Sequence, residues 1–344
     1  MQKDTSGSHS FVSFGEIMLR LDCPPPQRFF RNEYFKKIFG GAEANVSVVL
    51  AQLGIPVRYV TALPSNDIAQ SAIDSLRSFG IDTSFVYRSG ERVGIYFTEH
   101  GNNIRASKVI YDRKNSSFAT LQPGMIDWEK VFENTRYFFW SGISAALTQN
   151  AADVCKEALL IARAKGLTIS ADMNYRRTLW NYGKKPSDIM PELLSQCEII
   201  TGDIDTIDVY FGIPESKGSN QEKFHFCCDE LKKKLPRMKT FSMSFRGTDA
   251  HNQQTYSGAL MLDNEFFFSP VYSLPQVVDR IGSGDAFQGG LLYGLINNLP
   301  GQETINFAIA SGALKHSVEG DFAILSRDEI EQFIINGAQN RVIR

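Results

Sequence analysis

The sequence has no apolar run long enough to cross a bilayer, and no signal peptide is read before Phe11, so neither a membrane protein nor a secreted one is expected. Neither sign of charge is in excess. With 36 basic and 38 acidic side chains the formal net charge is -2, which gives no global field for nucleic acid. The five cysteines (Cys23, Cys155, Cys197, Cys227, Cys228) form no C-x-x-C pair and are odd in number, which fits free thiols in a reducing cytoplasm. His9, His100, His225, His251 and His316 are scattered without metal-ligand spacing, so no zinc site is expected and no residue is assigned as a metal ligand. Internal repeats and low-complexity stretches are also missing. No G-x-G-x-x-G fingerprint follows the first candidate strand, which counts against a nicotinamide dehydrogenase.

What remains is an ordinary globular composition, 43% hydrophobic over 344 residues. Residues 1–10 are polar and expected to be disordered; 11–344 read as one domain. Strand-like runs at 11–21, 57–62, 137–141, 167–174, 198–201 and 240–245 alternate with helical patterns such as 68–79, 150–165 and 227–235, and 213–223 reads as a surface loop. That alternation predicts a parallel α/β sheet covered by helices. Two segments depart from it. Ile17, Leu19 and Leu21 alternate with Met18, Arg20 and Asp22, and 93–98 and 104–113 read as two strands about a polar turn at 100–103. Half-buried strands do not suit a sheet covered on both faces, so segments at about 17–38 and 92–115 are expected to form a small separate sheet, a lid.

The most informative stretch is Asp279-Arg280-Ile281-Gly282-Ser283-Gly284-Asp285-Ala286-Phe287. Gly282, Ser283 and Gly284 precede a run able to form a buried helix, so backbone N–H groups converge at its first turn, where the macrodipole favours an anion. Asp285 adds a carboxylate beside that anion hole. Fixed positive dipoles next to one base are what phosphoryl transfer to an alcohol requires. The bland alternative for Asp285 is helix capping alone. A second cluster, Gly40-Gly41-Ala42-Glu43-Ala44-Asn45, also opens a helix, which Gly54 then ends.

These two segments, Asp-x-x-Gly-Ser-Gly-Asp-x-Phe and Gly-Gly-x-x-x-Asn, resemble the signatures of the ribokinase/phosphofructokinase-B family of carbohydrate kinases, with Ser283 where the family has alanine. The resemblance runs from about Phe11 to about Ile335. A finer resemblance, to 2-keto-3-deoxygluconate kinases, is carried by Phe14 to Leu21, by Tyr111-Asp112-Arg113 with Ser116 and Ser117, by Asp172 to Arg176 with Leu179-Trp180, and by Leu314-Lys315-His316 with Gly320-Asp321.

The resemblance implies a three-layer α/β/α sandwich with a β-sheet lid, ATP and Mg²⁺ as cofactors, and Asp285 as the base. Gly40, Gly41 and Asn45 would face the signature turn across the acceptor alcohol. Tyr111 and Arg113, two apart on one strand, share a face, and Tyr96 lies on the other arm of the hairpin. With Arg176 and Asp321 they make up the expected site for a substrate bearing hydroxyls and a carboxylate. On the nucleotide side, Phe245-Arg246-Gly247 stands where the family has a glycine-containing loop, and Ile309 where asparagine is common. The family's Asn-x-x-Glu element is degraded to Asp203-Ile204-Asp205-Thr206, leaving Asp203, Asp205 and Asp208 as the acidic substitutes. A neutral-sugar kinase of the fructose or ribose type remains open, as does a non-catalytic sugar-binding protein on the same scaffold. The outer face of the lid, carrying Ile95 and Phe97, needs burial and predicts a homodimer or a multiple of one.

Overall fold

The computed structural model describes residues 10–101 and 105–337. The segment expected to be disordered lies outside these except for Ser10, as do Asn102 and Asn103 of the expected turn. In chain order the strands are β1 (Ser10–Phe14), β2 (Met18–Cys23), β3 (Lys36–Gly40), β4 (Val57–Leu63), β5 (Val86–Arg88), β6 (Ile95–Glu99) and β7 (Lys108–Asp112). They continue as β8 (Thr135–Ser141), β9 (Thr168–Asp172), β10 (Ile199–Thr201), β11 (Thr240–Thr248), β12 (Gln254–Leu262), β13 (Glu265–Phe268) and β14 (Tyr272–Leu274).

Ten strands form one sheet, ordered β13-β12-β11-β10-β9-β8-β1-β4-β5 with β14 also on β12. From β5 to β11 neighbouring strands are parallel; β12, β13 and β14 add an antiparallel edge. Strands such as Val-Arg-Tyr-Val-Thr-Ala-Leu in β4 are rich in β-branched and aromatic residues and buried almost throughout, as a sheet covered on both faces demands. One face packs on helices Gln149–Ala164, Pro186–Leu194, Ile204–Phe211 and Asn220–Lys234. The other packs on Ala42–Gln52, Asp67–Arg77, Ser283–Ile296, Gly301–Lys315 and Arg327–Asn336. The result is the three-layer sandwich. A second sheet, ordered β3-β2-β6-β7, is built from the two segments that broke the alternation.

Four expectations about elements need correction. The run 11–21 is two strands, one in each sheet, parted at Gly15, whose carbonyl accepts from Tyr59 Oη at 3.0 Å. Nor is β2 half exposed: its alternation is real, but Arg20 and Asp22 are 0% and 1% exposed, their charges satisfied by ion pairs instead of water. Finally, 240–245 extends to Thr248 because β12 pairs with it along its full length, and 220–223 is the first turn of a helix rather than loop. That turn is fixed by a Ser219–Glu222 capping box, an S-x-x-E signal that was present in the sequence.

Candidate active site

A cleft of about 780 Å³ lies at the carboxyl ends of β9, β10 and β11, where an open parallel sheet gathers its ligands. Asp172 ends β9, with Asn174 and Arg176 beyond it, Thr201 ends β10, with Gly202 and Asp203 beyond it, and Met18, Tyr96 and Tyr111 enter from the small sheet. The two glycine clusters, 240 residues apart, meet here. Asn45 Nδ2 donates to Asp285 Oδ2 at 2.6 Å, while the Gly41 N–H donates to Asn45 Oδ1 at 3.3 Å. Gly282 caps the Ser283–Ile296 helix with φ at 84°, and a Cβ there would collide with the Asp321 carbonyl, so the turn needs glycine. At Gly40 a Cβ would collide with the Asp321 side chain.

Not all of the expected N–H groups are free. The Ser283 N–H donates to the Arg280 carbonyl at 3.2 Å, whereas those of Gly284 and Asp285 lie in the first turn and have no intrahelical acceptor. Ser283 is explained by its neighbours: its Oγ accepts from Arg246 Nη2 at 2.9 Å and donates to the Arg280 carbonyl at 2.9 Å. Arg246 is thereby held beside the turn.

Electrostatics separate the carboxylates. Burial raises Asp285 to about 6, against the lowering effects of the Asn45 bond and of Arg176. Burial and then the neighbouring Asp285 charge raise Asp172 to about 8. At neutral pH the pair therefore holds one ionised and one protonated carboxyl, the usual consequence of acids crowding one site. The sequence reading gave Asp172 no role, although its place at the last residue of a parallel strand was a usable signal.

On the small-sheet wall, Tyr96 Oη donates to Asp321 and its ring lies 5.9 Å from that of Tyr111. Arg113 is buried and donates through Nε to Glu16 Oε2 at 2.8 Å, so its charge is shared with an acid that the sequence reading overlooked. Arg176 differs: it is exposed in the cleft, and its Nη1 donates to the Tyr175 main-chain carbonyl at 3.0 Å. The loop carrying it is pinned by Trp180, which sits at φ 65°, donates its main-chain N–H to the Ala146 carbonyl at 3.0 Å and packs against Tyr182 and Tyr210.

The nucleotide half departs from expectation at three places. Phe245-Arg246-Gly247 is not a loop but part of β11; Arg246 lines the cleft and Gly247 does not. Ile309 is fully buried among Tyr256, Phe287 and Leu291, so it presents no surface to a ligand. Asp203 and Asp205 line the cleft and Asp208 does not. Asp203 also caps its helix, accepting from the Thr206 N–H at 2.8 Å and from Thr206 Oγ1 at 2.9 Å, which is the use the structure finds for the altered element. Among the described residues no group of three or more His, Cys, Asp or Glu is arranged to hold a metal by itself, and no helix is long and apolar enough to cross a membrane.

Comparison with known proteins agrees with this geometry. Residues 8–326 match the model of the pfkB family carbohydrate kinases. The 2-dehydro-3-deoxygalactonokinase of Haloferax volcanii is 28% identical over 95% of this chain and 96% of its own length. A 5-dehydro-2-deoxygluconokinase of Geobacillus thermodenitrificans is 24% identical, covering 94% of this chain and 92% of its own. Among solved structures, the 2-dehydro-3-deoxygluconokinase of Thermotoga maritima superposes with a TM-score of 0.90 at 35% identity, over 95% of this chain and 99% of its own.

Proposed function

The chain belongs to the pfkB family of carbohydrate kinases, and we propose that within it this protein transfers the γ-phosphoryl group of ATP to the terminal hydroxyl of 2-keto-3-deoxygluconate. The observation that carries the acidic acceptor is Arg176, a guanidinium turned into the cleft and held by a main-chain carbonyl rather than a carboxylate. A neutral sugar has no use for that charge; a sugar acid supplies its partner. The names of the Thermotoga and Haloferax relatives point to the same class of substrate.

Asp285, ionised at neutral pH, takes the proton of the acceptor hydroxyl. The acceptor oxygen forms its bond to the γ-phosphorus as the bond to the ADP oxygen breaks, and the N–H groups of Gly284 and Asp285 receive the charge on the transferring group. Gly40, Gly41, Asn45, Tyr96, Tyr111 and Asp321 shape the acceptor side, with Arg113 behind them. Arg246 stands on the donor side. Asp203 and Asp205 place carboxylates beside the protonated Asp172 along one part of the cleft, and the rise in Asp172 partly reflects Asp203. That donor set fits a Mg²⁺ that keeps waters and nucleotide phosphates as its main ligands; when bound it would neutralise phosphate charge. We also propose that two copies pair through the outer face of the small sheet.

A coupled assay of ADP release tests the acceptor, with 2-keto-3-deoxygluconate, its galactonate epimer, fructose and ribose compared. The expected result is turnover of the keto-deoxy acids. Arg176→Ala should weaken them by roughly ten- to a hundredfold, the loss of one charge-assisted contact, and leave neutral sugars unchanged. Preference for fructose or ribose would overturn the sugar-acid reading, and faster turnover of the galactonate would reassign the epimer.

A further inference from the structure

One buried charge beside the signature turn has no part in the scheme above. Lys315 is the last residue of the Gly301–Lys315 helix, and none of it reaches solvent. Its Nζ donates to the Val318 carbonyl at 2.9 Å and to the Asp279 carbonyl at 3.4 Å. Both partners are neutral. The other buried cations of this region are met by carboxylates: Arg20 by Asp279 at 2.8 Å and Asp321 at 3.0 Å, Arg113 by Glu16 at 2.8 Å. An ammonium enclosed without a contacting anion is costly, and a methionine would fill the same space at no such cost.

Its position gives the charge a use. The Val318 carbonyl belongs to the turn that follows the helix; the other acceptor opens the D-x-x-G-S-G-D signature. A Cβ on Gly282 would stand 3.3 Å from Lys315 Cε, so the lysine stem runs directly beneath the cap of the Ser283–Ile296 helix. The charged groups around the ammonium are Asp279, Asp321, Arg20 and Asp285. The two carbonyls therefore converge on a cation placed behind the turn, on the side away from the cleft.

We propose that Lys315 is a positioning residue of phosphoryl transfer. Its ammonium holds the Asp279–Gly282 segment in place and puts a fixed positive charge behind the N–H groups of Gly284 and Asp285, where charge on the transferring group accumulates. This rests on the kinase reading but not on the acceptor, because turnover of any sugar by the wild-type chain serves as the reference.

Two variants test it. Lys315→Met keeps an unbranched chain without charge. Its kcat should fall by roughly thirtyfold or more, somewhat below the loss typical of a direct oxyanion donor, while the sugar KM and the ADP affinity measured by calorimetry each change by less than about threefold. In Lys315→Ala the vacated space admits a small cation, and ammonium or propylammonium chloride should recover about tenfold or more of the lost turnover, with sodium chloride and propanol recovering none. The wild-type rate should be indifferent to all four. A Met variant with kcat within about threefold of wild type overturns the proposal, as does rescue by propanol equal to that by propylammonium, since the side chain then only fills space. Should Lys315→Met fail to fold, as judged by its melting curve, the Ala variant decides, and no recovery with either ammonium ion counts against the proposal.

Discussion

The two walls of the cleft treat charge in opposite ways. On the small-sheet wall, ionised groups meet charges of opposite sign. Arg20 meets Asp22 and Asp279 at 2.8 Å and Asp321 at 3.0 Å; Thr98 and Tyr96 donate to the same carboxylates, and His100 lies 3.0 Å from both Asp22 oxygens. On the large-sheet wall, contacting cations are withheld. Asp285 is held by the neutral amide of Asn45, and Asp172 accepts from the Asn174 N–H at 3.0 Å. The consequence shows at Asp22, lowered to about 2, whereas Asp285 and Asp172 are raised to about 6 and about 8; Asp321, more deeply enclosed, is raised by burial even beside Arg20. A carboxylate locked in its charged form fastens one element to another. A carboxylate left without a cation titrates near neutrality and can exchange a proton with a ligand.

The contrast breaks most visibly at Asp285. Asp285→Asn keeps the shape and the bond to Asn45 but accepts no proton, so kcat should fall by about a hundredfold or more with nucleotide affinity little changed. A residual rate within roughly tenfold of wild type would remove Asp285 from the role of base. On the opposite wall the expected loss is in stability. Arg20→Met leaves Asp22, Asp279 and Asp321 buried without their cation, a change of the kind that costs about 3–5 kcal/mol. Urea unfolding measures it. A cost under about 1 kcal/mol would mean that the small sheet is fastened by its apolar contacts instead.

The ionisation of Asp172 gives a smaller and pH-dependent effect. Its folded pKa lies above its unfolded one, so protonated Asp172 stabilises the fold. That contribution is complete below about pH 4 and is lost as pH rises through about 8. Without nucleotide, the melting temperature should fall between pH 7 and 9, and fall less in Asp172→Asn, which has no proton to lose. Parallel curves for the two proteins would show that Asp172 is already ionised at neutral pH and that the walls differ less than their contacts suggest.

Much of this site was legible because the signal was local. Gly282 to Asp285 and Gly40 to Asn45 announce helix openings by residue type alone, and the α/β alternation places them at one edge of a sheet. The polar side of β2 shows what was not legible. Arg20 and Asp22 alternate with leucines as an exposed edge would, because period two reports which residues share a face and not what covers that face. The distant partners of Arg20, Asp279 and Asp321, lie hundreds of residues away, and those of Asp22, Thr98 and His100, lie at the end of another strand, so only the folded chain shows that the polar face is buried. Glu16, which neutralises Arg113, and Lys315, which binds carbonyls, were hidden for the same reason. Ile309 was placed by resemblance alone, and packing against Tyr256 and Phe287 overruled it.

The small-sheet wall also has an outer face, and there the expected effect on catalysis is smallest. Phe97, expected to be bare, lies 5.7 Å from Phe35 in an edge-on contact, so the chain's own segment before β3 covers part of this face. The apolar surface left over is Phe30 at 82% exposure, Tyr34 at 61% and, on β7, Ile110 at 53%. Ile110 pairs in register with Phe97 and points the same way, opposite to Tyr111 in the cleft. A patch of large apolar side chains on a four-stranded sheet suits burial against a two-fold copy of itself. Light scattering at micromolar concentration should give a dimeric mass or a multiple of it, and a monomeric mass would remove the pairing. In Ile110→Asp the carboxylate would meet its own copy across an apolar contact, costing about 2 kcal/mol or more, and the mass should shift towards monomer on dilution. Turnover at saturating substrate should stay within about twofold, because the catalytic carboxylates and N–H groups belong to the other wall. A shift in mass accompanied by loss of turnover would show that the two walls are coupled through the dimer, and an unchanged mass would place the interface elsewhere.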